Sequence, residues 1–132
     1  MKIEANLNNV KDIENLPIGV YNVCIMQEPK FVVSSQKKTP GLEFEYTFMD
    51  PGTELAPGVP RTMRDTIYRS EKFGWEHFRI KEVCEAAGVA LENPDTADFV
   101  SVALKLAINQ EPYEDKHKTP KVRNIIDHFL KA

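Results

Sequence analysis

The stretch 42–49, Leu-Glu-Phe-Glu-Tyr-Thr-Phe-Met, limits what this chain can fold into more than any other. Leu42, Phe44, Tyr46 and Phe48 alternate with Glu43, Glu45 and Thr47. Alternate side chains of an extended strand point to opposite faces, whereas a helix would split these apolar groups between two sides. The pattern predicts a strand with one face in a core and the other in water. Such a strand needs neighbours, and the rest of the chain supplies them. Residues 19–28, Gly-Val-Tyr-Asn-Val-Cys-Ile-Met-Gln-Glu, are rich in β-branched and aromatic types and read as a first strand. Val20, Asn22, Cys24 and Met26 share one face of it, and Tyr21, Val23 and Ile25 the other. Pro29 ends or bends it.

Between these strands, residues 30–41 pass from apolar to a basic turn that closes on Pro40-Gly41. After 42–49 comes a loop, 50–60, with three prolines and two glycines. A third strand is expected over 61–69, where Arg61, Met63, Asp65, Ile67 and Arg69 alternate with Thr62, Arg64, Thr66 and Tyr68. Both of its faces are mixed, which suits a strand that meets a ligand or solvent. A helix follows, from Glu71 or Trp75 to Ala87, with Ser70 as N-cap and Gly88 as stop. Phe73, Ile80, Val83, Cys84 and Ala87 form its apolar stripe, and Trp75 and Phe78 fall off it. The fourth strand spans about 101–110, with Val102, Leu104, Leu106 and Ile108 on one face. A polar hairpin loop, 111–121, leads to a fifth strand at Val122–Ile126 and a short tail. Residues 1–18 read as a lead-in arm and 19–132 as one domain.

Three strands, a helix and two strands is the order of an OB-fold, a mostly β, five-stranded, partly open barrel whose helix plugs one end. Such barrels bind ligands along strands two and three, flanked by the first-to-second and fourth-to-fifth strand loops. The net charge is −3, yet the cations lie in blocks: Lys30 to Lys38, Arg61 to Lys81 and Lys116 to Arg123. Those blocks coincide with the elements that line the groove of this fold. The groove chemistry they suggest is that of single-stranded nucleic acid, with cations tracking phosphates and flat side chains stacking on bases. The candidate phosphate contacts are Lys37, Lys38, Arg61, Arg64, Arg69, Lys116, Lys118 and Lys121. The candidate stacking groups are Phe31, Tyr68 and Tyr113, with Trp75 beside them; Tyr46 shares its face with Leu42 and Phe44 and reads as core.

Several short segments, in order, resemble a phage-encoded family of small single-stranded DNA-binding proteins with OB-folds. They are Gly19-Val20-Tyr21-Asn22-Val23, Lys38-Thr39-Pro40-Gly41 leading into Leu42-Glu43-Phe44, and Trp75 to Gly88 ending in Glu85-Ala86-Ala87-Gly88-Val89. Val102-Ala103-Leu104-Lys105-Leu106, Glu111-Pro112-Tyr113, and Asn124 with Ile125 complete the set. The resemblance implies sequence-tolerant binding of single-stranded DNA in phage replication or recombination, with replication or recombination proteins as further partners. Two features depart from it. Val100-Ser101 stands where a glycine is expected before the fourth strand, and the chain ends His128-Phe129-Leu130-Lys131-Ala132 rather than in an acidic tail. The competing expectation is an OB-like protein-interaction module in a replication or recombination complex.

Other classes find less support. There is no glycine-rich phosphate loop and no Gly-x-Ser-x-Gly elbow, and Glu43 with Glu45 reads as a solvated strand face, so no enzyme is expected. Cys24 and Cys84 read as reduced, buried thiols, and His77, His117 and His128 lack metal-ligand spacing, so neither metal nor cofactor is expected. No signal peptide or membrane-length apolar run occurs, which points to the cytoplasm, that of the host for a phage protein. The exposed strand edges of an open barrel permit a dimer.

Overall fold

A computed structural model of the chain describes residues 1–9 and 14–132; residues 10–13, within the expected arm, lie outside the described residues. The described strands are β1 (Gly19–Ile25), β2 (Lys30–Val33), β3 (Pro40–Phe48), β4 (Thr62–Tyr68), β5 (Val102–Glu114) and β6 (Pro120–Lys131). Helix α1 (Phe78–Ala87) stands between β4 and β5. All pairings are antiparallel, in the order β2-β3-β1-β5-β6, with β4 on the other side of β3. The chain is thus mostly β with one main helix, as its pattern predicts.

The strand count and the closure differ from expectation. Six strands form an open sheet, not five in a barrel. The extra strand arises because the first one is broken at 26–29, around buried Pro29, which has no N–H to give to a ladder. Its two halves still run along one side of β3. β1 lies opposite the end of β3 (Val23 across from Phe48) and β2 opposite its start (Phe31 across from Leu42). β6 is also longer than its apolar residues suggest, because it pairs with β5 as far as Glu114–Pro120. β4 and β6 do not pair among the described residues.

Side chains satisfy β6 where a strand would have. The segment before β1 bridges from β4 to β6: Arg61 Nη1 donates to the Glu14 carbonyl (2.9 Å), and Asn15 Nδ2 donates to the Val122 carbonyl (2.8 Å). Leu16 N–H donates to Asn124 Oδ1, and Asn124 Nδ2 returns a bond to the Leu16 carbonyl, each at 2.8 Å. Farther along β6, a bulge leaves Asp127 without a partner, since Ala107 faces His128 and Ile108 faces Ile126. Successive carbonyls of a regular strand point to opposite edges, and a bulge breaks that rule. Arg79 of α1 donates to both the Ile126 and Asp127 carbonyls at 2.9 Å, while Glu82 accepts the Phe129 N–H at 2.9 Å.

The helix starts later than expected. Ser70 instead closes a turn, its Oγ accepting the N–H of Lys72 and Phe73 while Ser70 and Gly74 exchange backbone bonds. His77 is the N-cap and accepts the Arg79 N–H through Nδ1 at 3.1 Å; Gly88, at φ 72°, ends the helix. The core lies between α1 and the inward faces of β1, β3 and β5, where Val23, Ile25, Phe44, Tyr46, Leu104, Leu106, Ile108 and Val83 are fully buried. Cys84 is buried and Cys24 half-buried, both as free thiols. Within this core the Tyr46 hydroxyl and one Asp65 oxygen have no hydrogen-bond partner. Burial pushes the Asp65 carboxyl above its ordinary value, with Arg79 pulling the other way. Burial, and secondarily Asp65, raises the Tyr46 phenol.

Two outcomes follow for stability. Asp65 has a raised folded pKa, so its contribution is present at acid pH and is lost as pH rises through that value. The urea midpoint of Asp65→Asn should therefore gain on that of the parent as pH rises from about 3 towards neutrality; a pH-independent difference between the two would contradict this. Ser101 occupies the left-handed region at φ 63°, at the position where a glycine was expected. That conformation costs an L-residue about 1–2 kcal/mol. Ser101→Gly should raise the melting temperature, since relief of that cost exceeds the roughly 0.5–1 kcal/mol entropic penalty of glycine.

Candidate nucleic-acid interface

β4 contributes the clearest exposed platform. Its pairing with β3 sets Tyr68 across from Gly41, Thr66 from Glu43, Arg64 from Glu45 and Thr62 from Thr47. On the other side of β3, Val32 of β2 is also opposite Gly41. These residues share the outward face, away from the core. Gly41 is small for a reason: a Cβ there would sit 2.9 Å from Tyr68 Cδ1 and 2.8 Å from Thr66 Cγ2. The missing side chain lets the Tyr68 ring lie across the strand, where it remains 48% exposed. A glycine in a strand often marks such a close approach. Arg64 pairs with Glu45 at 3.2 Å on the same face. The pair is largely solvated and holds Arg64 by at most about 1 kcal/mol, so the guanidinium stays available to an anion.

The turn between β2 and β3 rises beside this ring. Ser34 N–H donates to the Thr39 carbonyl and Thr39 N–H to Ser34 Oγ, each at 2.9 Å. Ser34, Ser35, Gln36, Lys37, Thr39 and Tyr68 enclose a shallow concavity of about 370 Å³. Lys38 ends the turn, beside Thr39, with φ 53°. Among the sequence candidates, Lys37 and Tyr68 therefore line one concavity, with Arg64 on the same sheet face and Lys38 in the adjoining turn.

A second group lies on the β5–β6 hairpin. Tyr113 is in β5, opposite Lys121, rather than in a loop. Its ring is 38% exposed and carries the Arg123 guanidinium 5.2 Å from its centroid, with Arg123 also paired to Glu111 at 2.9 Å. The connecting turn is short. Asp115 Oδ1 organises it by accepting the N–H groups of His117 (2.8 Å) and Thr119 (2.9 Å). Lys116 and Lys118 are exposed there, Lys118 at φ 58°.

The remaining candidates are placed differently. Arg61 is bonded to the Glu14 carbonyl and holds the N-terminal segment. Arg69 follows β4 and lays its guanidinium near Gly74. Phe31 pairs with Leu42 on the inward side, opposite in sense to Tyr68, and meets Trp75 edge to face at 6.0 Å. Gly41 and Arg123 were not among the sequence candidates. The Pro40-Gly41 turn signal hid the packing role of the glycine, and nothing in the spacing tied Arg123 to Tyr113.

No protein-family model matches the chain, and no curated protein matches it. Among the described residues, no three His, Cys, Asp or Glu side chains group so as to hold a metal ion, and no helix is long and apolar enough to cross a membrane.

The packing of Tyr68 on Gly41 is open to a direct check. Gly41→Ala should cost about 1–3 kcal/mol by overpacking. In a double-mutant cycle with Tyr68→Ala, part of that cost should vanish. Additive urea-denaturation free energies would show that the ring does not rest on the glycine.

Proposed function

We propose that the chain binds single-stranded DNA without sequence preference, as a phage replication or recombination protein does, on an OB-like barrel left open between β4 and β6. The observation that carries the reading is the Tyr68 ring laid over Gly41, exposed, with Lys37 beside it. A flat aromatic face on a rigid sheet stacks on any base, for roughly 1–3 kcal/mol per base, and neighbouring cations take the phosphates. Lys37, Lys38 and Arg64 are the cations of this part of the site, and Arg69 is set apart from it, beside Gly74. Tyr113, Lys116, Lys118 and Lys121, joined by Arg123, form the hairpin part.

The connectivity supports the barrel reading. A bent first strand serves both β3 and β5, the helix stands between the third and fourth barrel strands, and the last two strands form a hairpin. In an OB-fold the platform of β3 and β4 and the two flanking turns are the ligand surface. The net charge of −3 keeps general adhesion to polyanions low while the local cations act at short range.

The rival is an OB-like module that binds a replication or recombination protein. Exposed Phe73, Phe78 and Leu91 favour it, since apolar side chains grouped near one helix suit a protein partner. Salt separates the two. Fluorescence anisotropy of a labelled oligo-dT of about 30 nucleotides, room for at least one OB site, should show affinity falling steeply with salt. Four cation–phosphate contacts give a log–log slope of about −3 on a single strand. Duplex DNA should compete poorly, and an RNA strand would set the sugar preference. Lys116→Glu with Lys118→Glu should weaken binding and flatten the slope. Binding that is absent at low salt would sink the nucleic-acid reading, and an unchanged double mutant would remove the hairpin from the site.

A further inference from the structure

Phe31 is the largest departure from the expected layout. It is 70% exposed although it faces inward from an edge strand. It forms one wall of a cavity of about 200 Å³ whose other walls include Leu42, Phe44, Trp75, Phe99 and Thr96. No charged side chain lines this cavity, and Thr96, Cys84 and the indole N–H of Trp75 are the polar side-chain groups among its lining residues. An apolar cavity of roughly 150 Å³ is enough to take up benzene. The space therefore suits a single ring with a few polar substituents.

The surroundings narrow the choice of occupant. Lys30 precedes Phe31 on the exposed edge strand, and the Arg69 guanidinium lies near Gly74, the residue before Trp75. Arg69 is thus the cation beside the aromatic pair, and Lys30, opposite Glu43 on the outward face of β2, stands on the approach to it. Glu76 lines the neighbouring groove on the far side of Trp75. An apolar peptide anchor would need the walls alone; cations beside aromatic walls are what a base with its phosphate needs. The cavity also adjoins the Tyr68 platform, because Val32, the residue after Phe31, completes the row Val32–Gly41–Tyr68 across the sheet.

We propose that one base of the bound strand, a pyrimidine by size, leaves the Tyr68 face, passes over β2 and enters the cavity walled by Phe31 and Trp75, with Lys30 on the phosphates of the approach and Arg69 on those at the cavity. This rests on the single-strand reading above and adds to it a base-accepting cavity on the opposite side of the sheet. The platform alone would hold a strand by stacking on one face; the cavity gives it a fixed point.

Trp75 is the single tryptophan of the chain and reports on the site directly. Its emission should be quenched as oligo-dT is added, in parallel with the anisotropy rise. Phe31→Ala changes an exposed side chain, so the protein should stay folded by circular dichroism. It should lower oligo-dT affinity on the order of tenfold and reduce the quench at saturation. If anisotropy reports binding while Trp75 emission stays constant and Phe31→Ala binds as the parent does, the cavity takes no base and the Tyr68 reading stands alone. If the anisotropy does not rise at low salt, the single-strand reading itself fails and the insertion falls with it.

Discussion

The helix meets the sheet through a guanidinium and a carboxylate aimed at unpaired strand backbone. Arg79 reaches the Ile126 and Asp127 carbonyls and Glu82 takes the Phe129 N–H, on β6, which among the described residues pairs with β5 alone. An unpaired buried backbone group costs about 1–3 kcal/mol, so these side chains make the open sheet tolerable at that edge. The bulge at Asp127 makes it possible, by turning two successive carbonyls towards one planar fork. Arg79 also stacks over the Phe129 ring, 4.7 Å from its centroid, and so ties polar edge and apolar core together. At the other end of β6, Asn15, Leu16 and Asn124 do the same for the N-terminal segment. The result is an open six-stranded sheet whose β6 edge is satisfied by side chains.

That arrangement separates two kinds of aromatic surface. Tyr68 lies outward on a continuous three-strand platform, supported by a glycine and flanked by a polar, basic turn. Phe31 and Trp75 lie on the inward side, at the mouth of an apolar cavity beside α1. β2 is only four residues long and forms the rim between them. A short edge strand is the usual way to blunt an exposed ladder, and here it also keeps the two surfaces within reach of one extended ligand.

How legible this was in the sequence depended on whether a buried face existed. Leu42, Phe44, Tyr46 and Phe48 announced β3 because every second residue enters the core, and Leu104, Leu106 and Ile108 did the same for β5. Beyond Gln110 the hairpin continues through Glu111 and Tyr113 with neither face in the core, so period two carried no apolar signal and the ladder read as a loop. The start of α1 was obscured because Ser70 is a good cap residue and does cap backbone N–H groups, but of a turn. Trp75 and Phe78 fell off the apolar stripe because Trp75 precedes the helix and Phe78 opens it facing solvent. For the candidate site, the cation blocks were visible as charge, but which side of a mixed strand faces outward was not. Arg61 and Arg64 differ by three positions, and that parity alone sends one to the N-terminal segment and the other to the platform.

Lys38 and Lys118 end the β2–β3 and β5–β6 turns, each just before the residue that closes it, and both adopt left-handed backbone, φ 53° and 58°. Asparagine or glycine would adopt that shape with less strain, by about 1 kcal/mol in each turn. The two turns therefore keep a long cation at the cost of local stability. Selection for thermal tolerance alone would replace these lysines early, so a heat-hardened descendant of this chain should be recognisable by uncharged residues at these two turn ends on an otherwise unchanged sheet.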